Sequence, residues 1–404
     1  MQFKASPRFW MVSALLVIMV IVVAAYLPNA TTDNAGAASL PKAELRTGDW
    51  ELELRMSNIR RGGWKTDFSR RSVPYAEIFS GGVPRDGIPP IDSPNFTTVT
   101  DADGWLEDKE PVIAVEIDGE AKAYPLQILT WHEIVNDSLG GVPISATFCP
   151  LCNSGIVFDR RLDGVVYDFG VSGNLRNSDL IMWDRQTESW WQQLTGEAIV
   201  GELTGEQLDI LPATLVSWED FRETYPDGAV LSRDTGHSRN YGANPYVGYD
   251  NVGQPPFLFF GEDDERLNAT ERVAAVTIRG ESAAFPFSLL EAQGVVHEEV
   301  GGQEIAVFFR PGARSVLDGY RIADSREVGS TGIFRRKLDG RSLTFEVKGD
   351  EFVDRETGTS WDIFGRGLAG PLAGEQLTPV VHANHFWFAW AAFRPDTRVV
   401  RAAQ

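Results

Sequence analysis

Short apolar runs separated by turn residues dominate the middle of the chain and predict β-strands. Val112–Glu116 and Ala121–Tyr124 flank an Asp-Gly pair, which is typical of a tight hairpin turn. Val142–Phe148 predicts a further strand, and Ile156–Asp159 with Val165–Phe169 predicts a second hairpin around another Asp-Gly pair. The pattern therefore indicates a region rich in hairpins.

Two segments of the same region have the spacing of short helices. Leu126–Asn136 follows Pro125 and carries apolar residues at helical intervals. Ser217–Tyr225 begins with a serine, which is a favoured N-cap. Several strands with two short helices are typical of an α+β fold rather than of alternating βαβ units. We therefore predict a strand-rich α+β fold.

The pattern of Val112–Pro150 returns at Val273–Pro311, at a constant offset of 161 residues and without a gap. Further along, Asp184-Arg-Gln-Thr187 with Trp191 corresponds to Asp354-Arg-Glu-Thr357 with Trp361. The copies are about one domain long, well above the period of solenoid repeats. The sequence thus predicts an internal duplication, with homologous lobes at residues 112–233 and 273–404.

The copies differ in the residues that carry chemistry. Trp131-His132 becomes Ala292-Gln293, and the Cys149-Pro-Leu-Cys152 turn becomes Arg310 to Ala313. The first copy also has six extra residues between Val171 and Asp184. Function is therefore expected in the first lobe, with the second a degenerate copy.

The N-terminus predicts a membrane anchor. Trp10–Leu27 is almost entirely apolar, follows Lys4 and Arg8, and would span roughly 27 Å as a helix, close to the hydrocarbon thickness of a bilayer. The positive residues favour a single-pass protein of the cytoplasmic membrane whose bulk is periplasmic or extracellular. Removal of the anchor by cleavage is the alternative. We assign residues 1–30 to the anchor, 31–44 to a tether, 45–111 to an N-terminal arm and 234–272 to a Gly-, Asn- and Pro-rich inter-lobe segment.

The net charge of the chain argues against the binding of nucleic acid. The 404 residues carry a formal net charge of −20, whereas a nucleic-acid-binding protein needs a basic face. No phosphate-binding glycine loop, nucleophile elbow or HExxH pattern occurs in the sequence. We therefore expect no nucleic-acid partner.

The two cysteines give the most specific chemical signal. Cys149 and Cys152 lie between two predicted strands, unlike the redox pairs that begin a helix. This context is closer to a metal-binding knuckle for zinc or copper. His132 is the expected third ligand because it disappears from the second copy together with the cysteines, and His237 is a weaker fourth. A redox couple or disulfide, and a pair of inert buried thiols, remain as alternatives.

The extra segment of the first lobe predicts a contact with a ligand or partner. Its polar residues Asn174, Arg176 and Asp179, together with Trp131, are the candidates. The alternative is a surface turn held by side-chain to backbone hydrogen bonds.

Several motifs resemble the DUF3179 family of exported bacterial and archaeal proteins. They are Trp64-Lys-Thr-Asp-Phe68, Asp86-Gly-Ile-Pro-Pro90, Ala123-Tyr-Pro-Leu-Gln-Ile-Leu-Thr-Trp-His-Glu-Ile-Val-Asn-Asp137, Phe148-Cys-Pro-Leu-Cys-Asn153 and Thr187-Glu-Ser-Trp-Trp-Gln192. The resemblance runs from about residue 60 to residue 260 and implies an extracytoplasmic prokaryotic protein. It implies no activity.

Three functions follow from these observations. The first is a membrane-tethered protein that binds copper or zinc through Cys149, Cys152 and His132. The second is a thiol–disulfide oxidoreductase that uses the same cysteines. The third is a non-catalytic scaffold subunit in a complex with a membrane-protein partner. Whether the chain is an enzyme stays open at this point.

Overall fold

A computed structural model of the protein describes residues 44–59 and 62–402. The fold is α+β and strand-rich, as predicted, with six α-helices of at most seven residues in the described part. The predicted anchor at Trp10–Leu27 lies outside the described residues. Within the described ranges, none of the helices has the length and apolar character needed to cross a membrane.

The elements fall into three consecutive groups. The arm contains α1 (Trp50–Met56), β1 (Ile78–Ser80), β2 (Phe96–Thr98) and α2 (Val99–Ala102). The first lobe contains β3 (Pro111–Ile117), β4 (Glu120–Pro125), α3 (Leu126–His132), β5 (Ile134–Leu139), β6 (Val142–Cys149), β7 (Ser154–Asp159), β8 (Arg161–Leu162), β9 (Val165–Val166), β10 (Phe169–Arg176), β11 (Asp179–Asp184), β12 (Trp190–Gln192), β13 (Glu197–Val200), β14 (Ile210–Leu211), β15 (Thr214–Ser217), α4 (Trp218–Thr224) and β16 (Ala229–Leu231). The second lobe contains β17 (Arg272–Ile278), β18 (Glu281–Pro286), α5 (Phe287–Gln293), β19 (Val295–Val300), β20 (Gln303–Arg310), β21 (Ser330–Arg335), β22 (Lys337–Leu338), β23 (Arg341–Ser342), β24 (Phe345–Lys348), β25 (Glu351–Asp354), β26 (Ser360–Trp361), β27 (Gly367–Ala369), β28 (His382–Phe386), α6 (Trp387–Phe393) and β29 (Arg398–Val399).

The first predicted hairpin is confirmed, and so is the helix capped by Ser217. β3 and β4 are antiparallel around Asp118 and Gly119, whose φ angles of 52° and 81° make the turn that Asp-Gly pairs favour. Ser217 and Asp220 form a capping box at the start of α4.

Two other predictions are corrected by the structure. The helix expected at Leu126–Asn136 ends at His132, because Glu133 has a positive φ and the chain turns into β5. The second expected hairpin is present around its Asp-Gly turn but is shorter than predicted, since the turn joins the two-residue strands β8 and β9. The predicted first strand of that hairpin lies in β7, which pairs instead with β6 and β14. The spacing of apolar residues alone shows neither where this helix ends nor which strands pair with each other.

The sheet order of the first lobe recurs in the second. Strands β15-β3-β4-β16-β2 correspond to β28-β17-β18-β29, strands β14-β7-β6-β5 to β21-β20-β19, and strands β10-β11-β12-β13 to β24-β25-β26-β27. From β3 to β6, including α3, each element begins 161 residues before its counterpart. The arm joins this framework at β1, which pairs with β10, and at β2, which pairs with β16.

Two clusters of buried apolar side chains contain residues of both lobes. One cluster of buried side chains contains Trp218 and Phe221 from the first lobe with Phe308 and Trp361 from the second. The largest cluster contains Cys149 and Cys152 among aliphatic and aromatic residues of both lobes. The cysteines therefore lie in a core that both lobes share, away from solvent.

Glu110, at the entry to β3, predicts a pH-dependent stability. Burial raises the pKa of this carboxyl from 4.5 to about 7, while the hydrogen bond from the Glu107 N–H opposes the rise. Because the pKa is higher in the folded state, the stabilisation is present below pH 4.5 and is lost as the pH rises through 7.

Between pH 5 and pH 8 the wild type should therefore lose roughly 2–3 kcal/mol of its free energy of unfolding through Glu110, and the Glu110→Gln variant should not show this loss. Urea unfolding at pH 5 and pH 8 measures the free energy of unfolding of each protein. Glu223→Gln, on the exposed face of α4, is the control. Equal pH profiles in wild type and Glu110→Gln would contradict the argument.

Candidate metal centre

The Cys149-Pro-Leu-Cys152 turn connects two paired strands, as the sequence predicts. β6 ends at Cys149, a single 3-10 turn covers Pro150–Cys152, and β7 begins at Ser154 directly opposite Cys149. Asn153 closes the turn with a left-handed backbone (φ 50°). Both cysteines are unpaired thiols, and their exposed fractions are 1% and 0%.

Asp179 is the third donor of this group. One of its carboxylate oxygens and the two sulfurs lie within 4.8 Å of one another, and the aspartate is fully buried. Ligands in a tetrahedral zinc site with Zn–S bonds near 2.3 Å are about 3.8 Å apart, so a small contraction would bring the three donors onto one ion. Among the described residues, no histidine belongs to this group.

A hairpin brings Asp179 to the cysteines. The segment predicted to be a loop, Ser172–Asp179, instead forms the end of β10, a two-residue turn and the start of β11. Asn177 and Ser178 have φ angles of 50° and 65°, and Arg176 pairs with Asp179 across the turn. The six extra residues of the first lobe therefore serve to carry a carboxylate inward.

The carboxylate of Asp179 is bonded on one oxygen only. Its Oδ2 accepts hydrogen bonds from Gln192 Nε2 at 2.6 Å and from the Leu194 N–H at 2.9 Å. Its Oδ1 is buried and has no hydrogen-bond partner among the described residues. Burial raises the pKa of Asp179 to about 6, against the effect of these hydrogen bonds and of the neighbouring thiols.

The same burial raises the pKa of both thiols, and that of Cys152 most strongly. A nucleophilic or redox-active cysteine needs the opposite shift, which a helix N-terminus or a nearby cation supplies. Here the closest charged groups are the carboxyls of Asp179 and Glu133, which raise the pKa of Cys149 further. A bound cation would stabilise all these groups as anions.

Glu133 is a second buried carboxyl beside the thiols, and sequence analysis did not single it out. Burial, followed by the charge of Asp179, raises its pKa to about 8. Its backbone has φ 59° and ψ −31°, a conformation that costs a residue with a Cβ about 1–3 kcal/mol. The glycine at the corresponding position of the second lobe, Gly294, is the signal that could have drawn attention to it.

Further buried polar atoms around the turn lack hydrogen-bond partners among the residues described. They are Ser154 Oγ, Gln192 Oε1, Gln193 Oε1 and both amide atoms of Asn174. Buried polar atoms are bonded in the great majority of cases, so each of these atoms can take a water molecule or an ion as its partner.

An irregular stretch of the inter-lobe segment, Tyr246–Phe257, covers the cysteine turn, and we call it the cover segment. The Tyr249 hydroxyl donates a hydrogen bond to the Leu151 carbonyl at 3.0 Å and accepts one from the Phe257 N–H at 3.2 Å. The Ser178 hydroxyl donates to the Phe257 carbonyl. These contacts enclose the site.

The cover segment is fixed to the second lobe by a buried ionic cluster. Asp250 is fully buried, and its Oδ2 lies 2.6 Å from Arg272 Nη2, 2.5 Å from Ser315 Oγ and 2.7 Å from Arg326 Nη2. The guanidinium groups hold the pKa of Asp250 below its ordinary value despite burial. The second lobe thus anchors the cover of a site built by the first.

The predicted histidine ligands lie in a separate cluster. His132 Nδ1 donates to the Pro89 carbonyl at 2.7 Å, so its Nε2 accepts from the Tyr241 hydroxyl at 2.6 Å, and that hydroxyl is 2.5 Å from Thr235 Oγ1. The exposed His237 ring stands 5.4 Å from the His132 ring. Burial lowers the pKa of His132 to about 4. Ligation by His132 would require one of its two hydrogen bonds to break.

Two more predicted contact residues join parts of the chain. Arg176 is 2.8 Å from Glu77 in the arm and lies over the ring of Phe393 in the second lobe. Trp131 Nε1 donates to the Ala243 carbonyl of the inter-lobe segment at 3.2 Å. In this structure both side chains hold neighbouring segments in place.

The chain matches the model of the family described as "Protein of unknown function (DUF3179)" over residues 85–397, which include the first lobe and nearly all of the second. No curated protein matches the chain, and no solved structure matches it.

Proposed function

The chain belongs to the DUF3179 family, and from that premise we propose that it binds one thiophilic metal ion, zinc or copper, through Cys149, Cys152 and Asp179. The observation that carries the proposal is the meeting of three buried donor atoms within 4.8 Å. A carboxylate in an apolar interior is costly without a cation, and a metal ion offsets that cost while it also stabilises the neighbouring sulfurs as thiolates.

The thiol–disulfide oxidoreductase is the weaker candidate. Such an enzyme needs an accessible sulfur with a lowered thiol pKa, because its partner must reach the sulfur and the thiolate is the nucleophile. Cys149 and Cys152 are buried under the cover segment, and burial raises the pKa of both thiols. These properties favour a ligating pair.

The arrangement of the chain around the site extends the proposal. In our interpretation the lobes arose by duplication, and the second lobe lost the donors and kept the role of anchoring the cover segment. The recurrent sheet order and the constant offset of 161 residues support this origin. We further propose that the protein is tethered by Trp10–Leu27 and faces outward from the cytoplasmic membrane, on the basis of its apolar N-terminus.

Metal content tests the proposed function. The full chain, purified in detergent without oxygen and freed of metal, should bind one equivalent of zinc or Cu(I), measured by elemental analysis after desalting. The Cys149→Ser/Cys152→Ser variant should retain none, because it loses both sulfur ligands.

A matched variant separates the cysteines from the predicted histidine. His132→Gln introduces the residue that the second copy carries at this position, Gln293. It should still bind one equivalent, since His132 is engaged with Pro89 and Tyr241. Metal bound equally by wild type and the cysteine variant, or by neither, would refute the proposal.

A further inference from the structure

Glu133 is a buried acidic residue that the fold itself leaves unexplained. Its carbonyl accepts a hydrogen bond from the Phe148 N–H at 2.8 Å, which fixes its backbone beside the residue that precedes Cys149. Its side chain is only 7% exposed. The carboxyl of Glu133 is close enough to that of Asp179 for the two to repel each other when both are ionised. Two buried carboxyls that repel each other are costly without a cation, so the pair favours a cation as ligand.

The backbone conformation of Glu133 also indicates a functional role for this residue. Its φ and ψ of 59° and −31° nearly equal those of Gly294, 69° and −39°, at the corresponding position of the second lobe. Glycine is the residue that adopts this conformation without strain. The first lobe, which contains the thiols, has a glutamate at this position despite the strain. Strained residues of this kind concentrate at functional sites.

We propose that Glu133 is the fourth protein ligand of the metal centre, which then holds one divalent cation of the zinc type between two thiolates and two carboxylates. This inference rests on the proposed function. Glu133 lies outside the group of donors within 4.8 Å, so ligation requires its side chain to rotate towards the ion.

The donor set determines the class of metal. Cu(I) prefers soft ligands such as thiolate and imidazole, whereas carboxylate oxygens suit harder ions and zinc accepts both kinds. A divalent ion also neutralises more of the buried negative charge than a monovalent ion does. The site should therefore bind Zn²⁺ in preference to Cu(I).

Two variants of Glu133 test the assignment in the full chain. Glu133→Gln removes the anionic ligand and should weaken Zn²⁺ binding at least tenfold in competition with a chromophoric chelator. With Co²⁺ as a probe, the sulfur-to-metal charge-transfer band should persist while the visible bands of the four-coordinate site change. Glu133→Gly should weaken binding as much and also raise the Tm of the metal-free protein, because it relieves the positive φ.

Glu110→Gln is the matched control, since it removes another buried carboxyl that lies outside the site, and it should leave the Zn²⁺ affinity unchanged. If both Glu133 variants bind Zn²⁺ and Co²⁺ as the wild type does, Glu133 is not a ligand and the three-residue centre stands. If Cu(I) is bound as tightly as Zn²⁺, the assigned metal class is wrong. Absence of cysteine-dependent metal in the wild type overturns both this inference and the proposed function.

Discussion

Asp250→Ala should lower the free energy of unfolding by about 3–5 kcal/mol, because it leaves a buried guanidinium without its carboxylate. Arg272 is only 8% exposed in its side chain, and Asp250 is its ion-pair partner. Arg326 and Ser315 lose the same partner. Urea unfolding of the metal-free protein, followed by tryptophan fluorescence, measures the loss.

The same substitution should also expose the candidate metal centre to solvent, because Asp250 ties the cover segment to the second lobe. Both thiols should react with a thiol reagent at least tenfold faster than in the wild type under native conditions, since local opening becomes easier. Asp324→Ala removes an ion pair with Arg321 whose side chains are both 64% exposed, and it is the control for a general effect of charge. Unchanged thiol reactivity in Asp250→Ala would show that the cover segment does not control access.

Asp184→Ala and Asp354→Ala should each cost about 3–5 kcal/mol, because each removes the hub of a buried hydrogen-bond network. Asp184 accepts from the Thr187 N–H at 2.6 Å and from Trp191 Nε1 at 2.9 Å. Asp354 accepts from the Thr357 N–H at 2.6 Å and from Trp361 Nε1 at 3.0 Å. Denaturant unfolding of each variant gives the comparison.

The two losses should agree within about 1 kcal/mol, because the networks have the same partners and distances. Asp184→Asn keeps one carbonyl oxygen as an acceptor and should cost less than the alanine variant. A large loss of stability in one variant and a negligible loss in the other would contradict the view that both lobes depend on the same hydrogen-bond network.

Local sequence signals predicted much of the fold. Strand alternation with an Asp-Gly turn gave the β3–β4 hairpin, and Ser217 marked the start of α4. The end of α3 could not be read in this way, because Ile134 and Val135 continue the helical spacing that stops at Glu133. Only the positive φ of Glu133 converts those apolar residues from a helical face to a strand, and a glutamate carries no local signal for that conformation.

The candidate site was predictable where its residues are adjacent in sequence. The Cys149–Cys152 spacing between two strands indicated a ligating pair, and both cysteines are in the buried group. Asp179 is recruited through a hairpin, so its spacing from the cysteines contains no information about contact. The joint absence of His132 and the cysteines from the second copy suggested a shared role, but His132 instead supports Pro89 and Tyr241.

The anchoring of the cover segment to Arg272, Ser315 and Arg326 has a consequence for biogenesis. The ribosome makes the chain from its N-terminus, so the donors through Asp179 emerge about 150 residues before Arg326, roughly 7–30 s earlier at 5–20 residues per second. During that interval the turn and its hairpin can assemble while the cover still lacks its anchor. If the site binds the ion proposed for it, loading would be easiest in the nascent protein, and completion of the C-terminal half would then close the site.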